Sequence, residues 1–107
     1  MPIHHKLVRD RIPEIIEKTG KSYETRVLDQ DEYIQSLKTK LQEELQEYLT
    51  SVNDKEATEE LADLLEIIHV LSQIHGNSIE EVEAIRKQKA EERGSFKEKI
   101  FLISVDD

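Results

Sequence analysis

The sequence predicts a mainly α-helical single domain, a helical bundle carrying two short peripheral β-strands. Three observations lead there. Apolar residues recur every three or four positions through the middle of the chain, the few glycines and prolines fall where elements should start or stop, and two short segments near the two ends are rich in β-branched and aromatic residues. At 107 residues the chain accommodates one core rather than two, so residues 1–107 are read as one domain.

The elements follow in order. Pro13 suits the first turn of a short helix, where its missing N–H costs nothing, and Gly20 is placed to end it, giving a helix over roughly 12–19. Tyr23, Thr25 and Val27 alternate on one side of an extended segment, which predicts a strand over 23–28. Asp29 or Asp31 can cap a first long helix, on which Ile34, Leu37, Leu41, Leu45, Tyr48 and Val52 form the apolar stripe to about residue 52. Asn53-Asp54 makes a turn. The second long helix carries Leu61, Leu64, Leu65, Ile67, Ile68, Val70, Leu71 and Ile74, and Gly76 is the expected C-terminal glycine. Ser78 and Glu81 form a capping-box pattern for a third, about 79–93, ended by Gly94. Residues 99–105, Lys-Ile-Phe-Leu-Ile-Ser-Val, predict a second strand, which would pair with the first because a lone strand leaves its backbone groups unsatisfied.

Charge and composition exclude several function classes. A net charge of -9 leaves no basic face for coating nucleic acid, so a polyanionic ligand would need a metal or a local basic cluster. The absence of cysteine excludes a disulfide scaffold, a thiol nucleophile and a zinc-thiolate site. The first residues start no apolar signal region and no stretch approaches the ~18 apolar residues of a membrane span, so a cytoplasmic protein with no membrane partner is expected.

Most acids on an amphipathic helix lie opposite its apolar stripe, and the informative ones fall within it. Glu60 stands one helical repeat before Leu64, Ile67 and Leu71, and Asp63 likewise before Ile67, Val70 and Ile74, on a helix hydrophobic nearly all round. On the preceding helix Glu44 is in line with Leu37, Leu41 and Tyr48, with Glu47 flanking it and Glu43 turned further toward solvent. Two antiparallel helices joined by a tight turn would bring Glu44 and Glu47 across from Glu60 and Asp63. Ionised carboxylates gathered at a partly buried interface repel one another and lose hydration, so a cation must compensate. Lysine can do so, but several carboxylate oxygens suit a hard divalent ion such as magnesium, with manganese as a substitute. A single E-x-x-E on a helix is ordinarily a solvated face; two pairs flanking a turn, one inside an apolar stripe, leave a metal site and a solvated face about equally balanced.

These residues resemble a known motif. Glu43-Glu44-Leu45-Gln46-Glu47, then twelve residues, then Glu60-Leu61-Ala62-Asp63 is similar to the E-E-x-x-E and E-x-x-D motif of the all-α nucleoside triphosphate pyrophosphohydrolases, the MazG-like group that includes phosphoribosyl-ATP pyrophosphohydrolase. Lys6-Leu7-Val8-Arg9-Asp10-Arg11-Ile12-Pro13 and Arg93-Gly94-Ser95-Phe96 resemble a small single-domain subgroup. The resemblance implies cleavage of a nucleoside triphosphate between its α and β phosphates, with Glu44, Glu47, Glu60 and Asp63 as magnesium ligands. It further implies that Glu43 orients or deprotonates the attacking water, and that the chain is at least a homodimer. Phosphorylated substrate also needs cations, for which Lys87, Lys89 and Arg93 are the candidates, although a solvated helix face paired with nearby glutamates accounts for them equally.

The basic cluster Lys6, Arg9 and Arg11 either reaches a substrate phosphate or ties the N-terminus down by ion pairs. His69 faces away from Asp63 and His75 sits at a helix end, so neither is a metal-ligand candidate, and Tyr48 is a core or interface aromatic sooner than a base-pocket wall. A magnesium-dependent pyrophosphohydrolase of noncanonical or surplus triphosphates is therefore the leading expectation. Hydrolysis of phosphoribosyl-ATP in histidine biosynthesis is the alternative within enzymes, and a non-catalytic helical dimerisation module the alternative outside them. A dimer is expected independently, because one protomer has too few long helices to cover the second.

Overall fold

Local signals for helix ends decide where the elements of this chain stop and start. The computed structural model describes residues 4–107, and among them there are four helices: α1, Ile12–Lys18; α2, Gln30–Leu49; α3, Asp54–Ile74; and α4, Ile79–Arg93. Asp29 caps α2 in a reciprocal box, its carboxylate accepting from the Glu32 N–H at 2.9 Å while the Glu32 carboxylate accepts from the Asp29 N–H at 3.4 Å. Asn53 caps α3 by accepting from the Glu56 N–H at 2.8 Å, and Ser78 caps α4 through the Glu81 N–H at 3.3 Å. α2 ends at Leu49 rather than near residue 52, because the Thr50 and Ser51 hydroxyls donate back to the Gln46 and Tyr48 carbonyls at 3.0 and 2.7 Å and close the last turn. Gly76, at φ +78°, takes the left-handed conformation that turns the chain from α3 into α4.

α2 and α3 form an antiparallel hairpin, and α4 packs on the far part of α3, while α1 packs on no other helix. The apolar core is correspondingly thin. Among the described residues only Leu37 on α2 and Ile67 on α3 are buried apolar residues, at 4% and 7% exposure. The radius of gyration is 18.6 Å, against about 13 Å for a compact domain of this length.

Two expectations are corrected here. No strand forms among the described residues: the segments 23–28 and 99–105 are irregular and do not pair, with Val27 97% and Phe101 87% exposed. β-propensity describes fit to a half-covered pleated surface, and a single protomer offers these segments neither a sheet edge nor a helix face. The second correction concerns α3, which is not buried all round. Its α2 and α4 sides are covered, but Leu61, Leu65 and Ile68 form an exposed ridge, because two neighbouring helices cover only part of a helix circumference. No described helix is long and apolar enough to cross a membrane.

The thin core localises stability. Leu37→Ala and Ile67→Ala should each lower the unfolding free energy by about 2–5 kcal/mol, whereas Val52→Ala, at an exposed position, should change it by under about 0.5 kcal/mol. Urea unfolding at fixed protein concentration measures all three, and equal effects would contradict this placement of the core.

Candidate metal centre

The α2–α3 hairpin turns two ordinary sequence spacings into one site. Three residues along a helix bring Glu44 and Glu47 to neighbouring positions on α2, and the tight turn at Asn53 sets Glu60 opposite them on α3. One carboxylate oxygen from each of Glu44, Glu47 and Glu60 lies within 4.8 Å of the other two. The three differ in setting: Glu44 is buried, Glu60 half-buried and Glu47 exposed. Asp63, one turn beyond Glu60 and half-buried, stands outside that group of three, its Oδ1 accepting from the Arg9 guanidinium at 2.7 Å.

Compensating cations reach only part of this charge. Lys40 lies 3.5 Å from Glu44 Oε1, one helical turn away. Glu44 Oε2 and Glu60 Oε2 are shielded from solvent and have no hydrogen-bond partner. Leaving a charged acceptor desolvated and unpaired is costly, and the usual relief is either protonation or a cation. Burial, and next the neighbouring Glu44 and Glu47 carboxyls, disfavour the charged form of Glu60 and push its pKa up to about 7.

The donor set also fits a divalent ion. It is all oxygen, and two of its carboxylate oxygens are buried without a hydrogen-bond partner. Around magnesium at about 2.1 Å, ligand oxygens lie about 3 Å apart when adjacent and about 4.2 Å when opposite. At most one of the three pairs can be opposite, so from a spread of up to 4.8 Å the side chains would have to close by up to about 2 Å. The three carboxylates could thus hold a metal ion.

The remaining sequence candidates lie elsewhere. Glu43 is exposed, has no ion pair among the described residues and is not in the cluster. Lys87 lines an open groove between α3 and α4 with Leu65, His69, Ile79, Glu83 and Ala84, and at 100° per residue Leu65 and His69 point about 140–180° round α3 from Glu60. The groove is thus on the opposite side from the carboxylates. Lys89 and Arg93 are exposed on α4 without ion pairs among the described residues. Of the N-terminal cations, Arg11 pairs locally with Glu14 at 3.2 Å, and Arg9 alone reaches the site. No local signal in the sequence distinguishes Arg9 from Lys6 or Arg11, since its partner lies 54 positions away.

Comparison with known proteins adds a family. Residues 4–93 match the family model described as phosphoribosyl-ATP pyrophosphohydrolase, a span that includes all four carboxylates and Arg9. No curated protein and no solved structure gives a significant match.

The Glu60 shift fixes a sign. The folded chain keeps this proton up to about pH 7, the unfolded chain loses it near its ordinary value of about 4.5, so between those values the native state binds more protons and stability falls as pH rises. Glu32 acts in a different window. Arg26 holds its pKa down to about 2, so its contribution is present above about 4.5 and is lost as pH falls toward 2. The melting temperature of the protein in chelator should therefore decline from about pH 5 to pH 7.5, and Glu60→Gln should flatten that slope. An unchanged slope in Glu60→Gln would show that another group carries it.

Proposed function

The chain belongs to the phosphoribosyl-ATP pyrophosphohydrolase family, and from that membership and the carboxylate cluster we propose that it is a magnesium-dependent pyrophosphohydrolase. Its substrate is a nucleoside triphosphate, noncanonical or surplus, cleaved to the monophosphate and pyrophosphate in the cytoplasm. The single observation that carries this proposal is the convergence of Glu44, Glu47 and Glu60 with two buried carboxylate oxygens left unpartnered. A solubilising surface has no reason to desolvate its acids; a cation site does.

Glu44, Glu47, Glu60 and Asp63 would hold the ion, with manganese as a substitute. When bound, magnesium supplies charge neutralisation at the phosphoryl oxygens and orientation of the attacking water. The chain's own residues do the rest. Glu60 must give up its proton to ligate, Lys40 lies 3.5 Å from the buried Glu44 carboxylate and offsets part of its charge, and Glu43, next to Glu44 on the solvent side, orients or deprotonates the attacking water. No side-chain nucleophile is required, because an anhydride attacked by oriented water needs positioning and electrostatics rather than a covalent intermediate.

A second substrate is favoured by the description of the matched family itself: phosphoribosyl-ATP, as in histidine biosynthesis, which presents the same triphosphate chemistry. A homodimer or higher homo-oligomer belongs to the same proposal. The α3 ridge of Leu61, Leu65 and Ile68 and the exposed Ile100, Phe101, Leu102 and Ile103 are the surfaces a second copy would cover. Lys87, Lys89 and Arg93 could serve substrate phosphates only across such an interface, since within one protomer Lys87 faces away from the carboxylates.

Pyrophosphate release should be tested over a panel of canonical and noncanonical triphosphates and phosphoribosyl-ATP. Activity should need magnesium, vanish with chelator, return with manganese, and fall by about 10²-fold or more in Glu44→Gln, Glu60→Gln and Asp63→Asn. Turnover of phosphoribosyl-ATP alone would select the second substrate. Full activity in all three variants would remove these carboxylates as the metal site, whereas no hydrolysis of any panel member by the unmodified chain, with no effect of magnesium on its melting temperature, would leave the non-catalytic helical module as the account. Sedimentation at micromolar protein should show a dimer or larger species, and a monomer throughout that range would contradict the proposed assembly.

A further inference from the structure

Arg9 is the one cation among the described residues that reaches the carboxylates from outside the α2–α3 hairpin. Its Nη2 donates to Asp63 Oδ1 at 2.7 Å, and the other described ion pairs all join residues at most six positions apart. The pair is loosely held. Arg9 and Asp63 remain 59% and 39% exposed, α1 beyond Arg9 packs on no other helix, and Nη2 is the only atom of the guanidinium with a hydrogen-bond partner. Asp63 is meanwhile the one carboxylate of the four that stands outside the cluster.

We propose that Arg9 is a phosphate-binding residue held in reserve on Asp63. It neutralises Asp63 while the site is free of metal, and passes its guanidinium to the substrate's polyphosphate when Asp63 turns to the ion. The proposal rests on the metal-dependent pyrophosphohydrolase function given above. Three observations carry it. An exposed, single-contact ion pair is weak and screened by salt, so a divalent ion competes with it readily. The guanidinium has further N–H donors without partners, in the fork geometry that matches phosphate oxygens. Lys87 of α4 lies in a groove on the other side of α3, Arg86 is paired with Glu83, and Arg9 is the arginine seen in contact with one of the four acids among the described residues.

The exchange makes the metal and the phosphate respond to Arg9 in opposite directions, which a purely structural tie would not do. Calorimetry of Mn²⁺ binding without nucleotide, and of inorganic tripolyphosphate binding at saturating Mn²⁺, would be run on the full chain, Arg9→Gln, Asp63→Asn and the double variant, each checked for an unchanged helical spectrum. Arg9→Gln should bind Mn²⁺ about two- to fivefold more tightly, as loss of an exposed competing ion pair implies, and tripolyphosphate about tenfold or more weakly, as loss of a charge-assisted contact implies. In the Asp63→Asn background the same change should leave Mn²⁺ affinity within about twofold and still weaken tripolyphosphate. Weaker Mn²⁺ binding in Arg9→Gln, or unchanged tripolyphosphate binding, overturns the assignment. If the unmodified chain binds Mn²⁺ and hydrolyses triphosphates while Arg9→Gln matches it throughout, only the role of Arg9 falls; if the unmodified chain binds no Mn²⁺, the metal-dependent function falls with it.

Discussion

The crowding of carboxylates between α2 and α3 is the constraint around which the rest of this structure is arranged. The hairpin sets Glu44 and Glu47 against Glu60 at distances where ionised groups repel, and shields two of their oxygens from water. Three local responses follow. Glu60 holds its proton to about pH 7, Lys40 sits one turn from Glu44, and Arg9 reaches across from the N-terminal segment to Asp63. Each relieves part of the charge and none relieves all of it. The divalent ion proposed for this site would relieve all of these carboxylates at once.

The same hairpin explains why the protomer looks unfinished. Length spent on two helices of 20 and 21 residues builds a long, narrow frame that buries only two apolar side chains and leaves the α3 ridge and the C-terminal apolar segment uncovered. Small domains with thin cores commonly complete themselves by association. An elongated chain with a continuous apolar ridge beside its polar site is what motivates the proposed homodimer.

The helices and most of their ends were legible in the sequence because they depend on neighbours three or four residues apart: Asp29 and Ser78 cap where local pattern places them, and Gly76 turns where a left-handed residue is needed, whereas α2 stops three residues short of the end its apolar stripe suggests. Glu60 was legible for a related reason, since an acid heading an otherwise apolar stripe contradicts its own periodicity. The strands were not, because β-branched composition at 23–28 and 99–105 says nothing about whether a partner edge exists. The separation of Asp63 from the other three acids was hidden too. It depends on Arg9, 54 positions earlier, and the turn geometry that makes Glu44 and Glu60 neighbours is silent about what the N-terminal segment brings.

Calorimetry of magnesium binding at pH 7, in two buffers of different ionisation enthalpy, tests the central claim most directly. Glu60 can join the ion only as a carboxylate, and near pH 7 a substantial fraction of it is protonated. Binding should therefore release protons at pH 7, making the observed heat depend on the buffer, and should release none at pH 9. Heat independent of buffer at pH 7, or no binding of magnesium, would contradict a site in which Glu60 exchanges its proton for the metal.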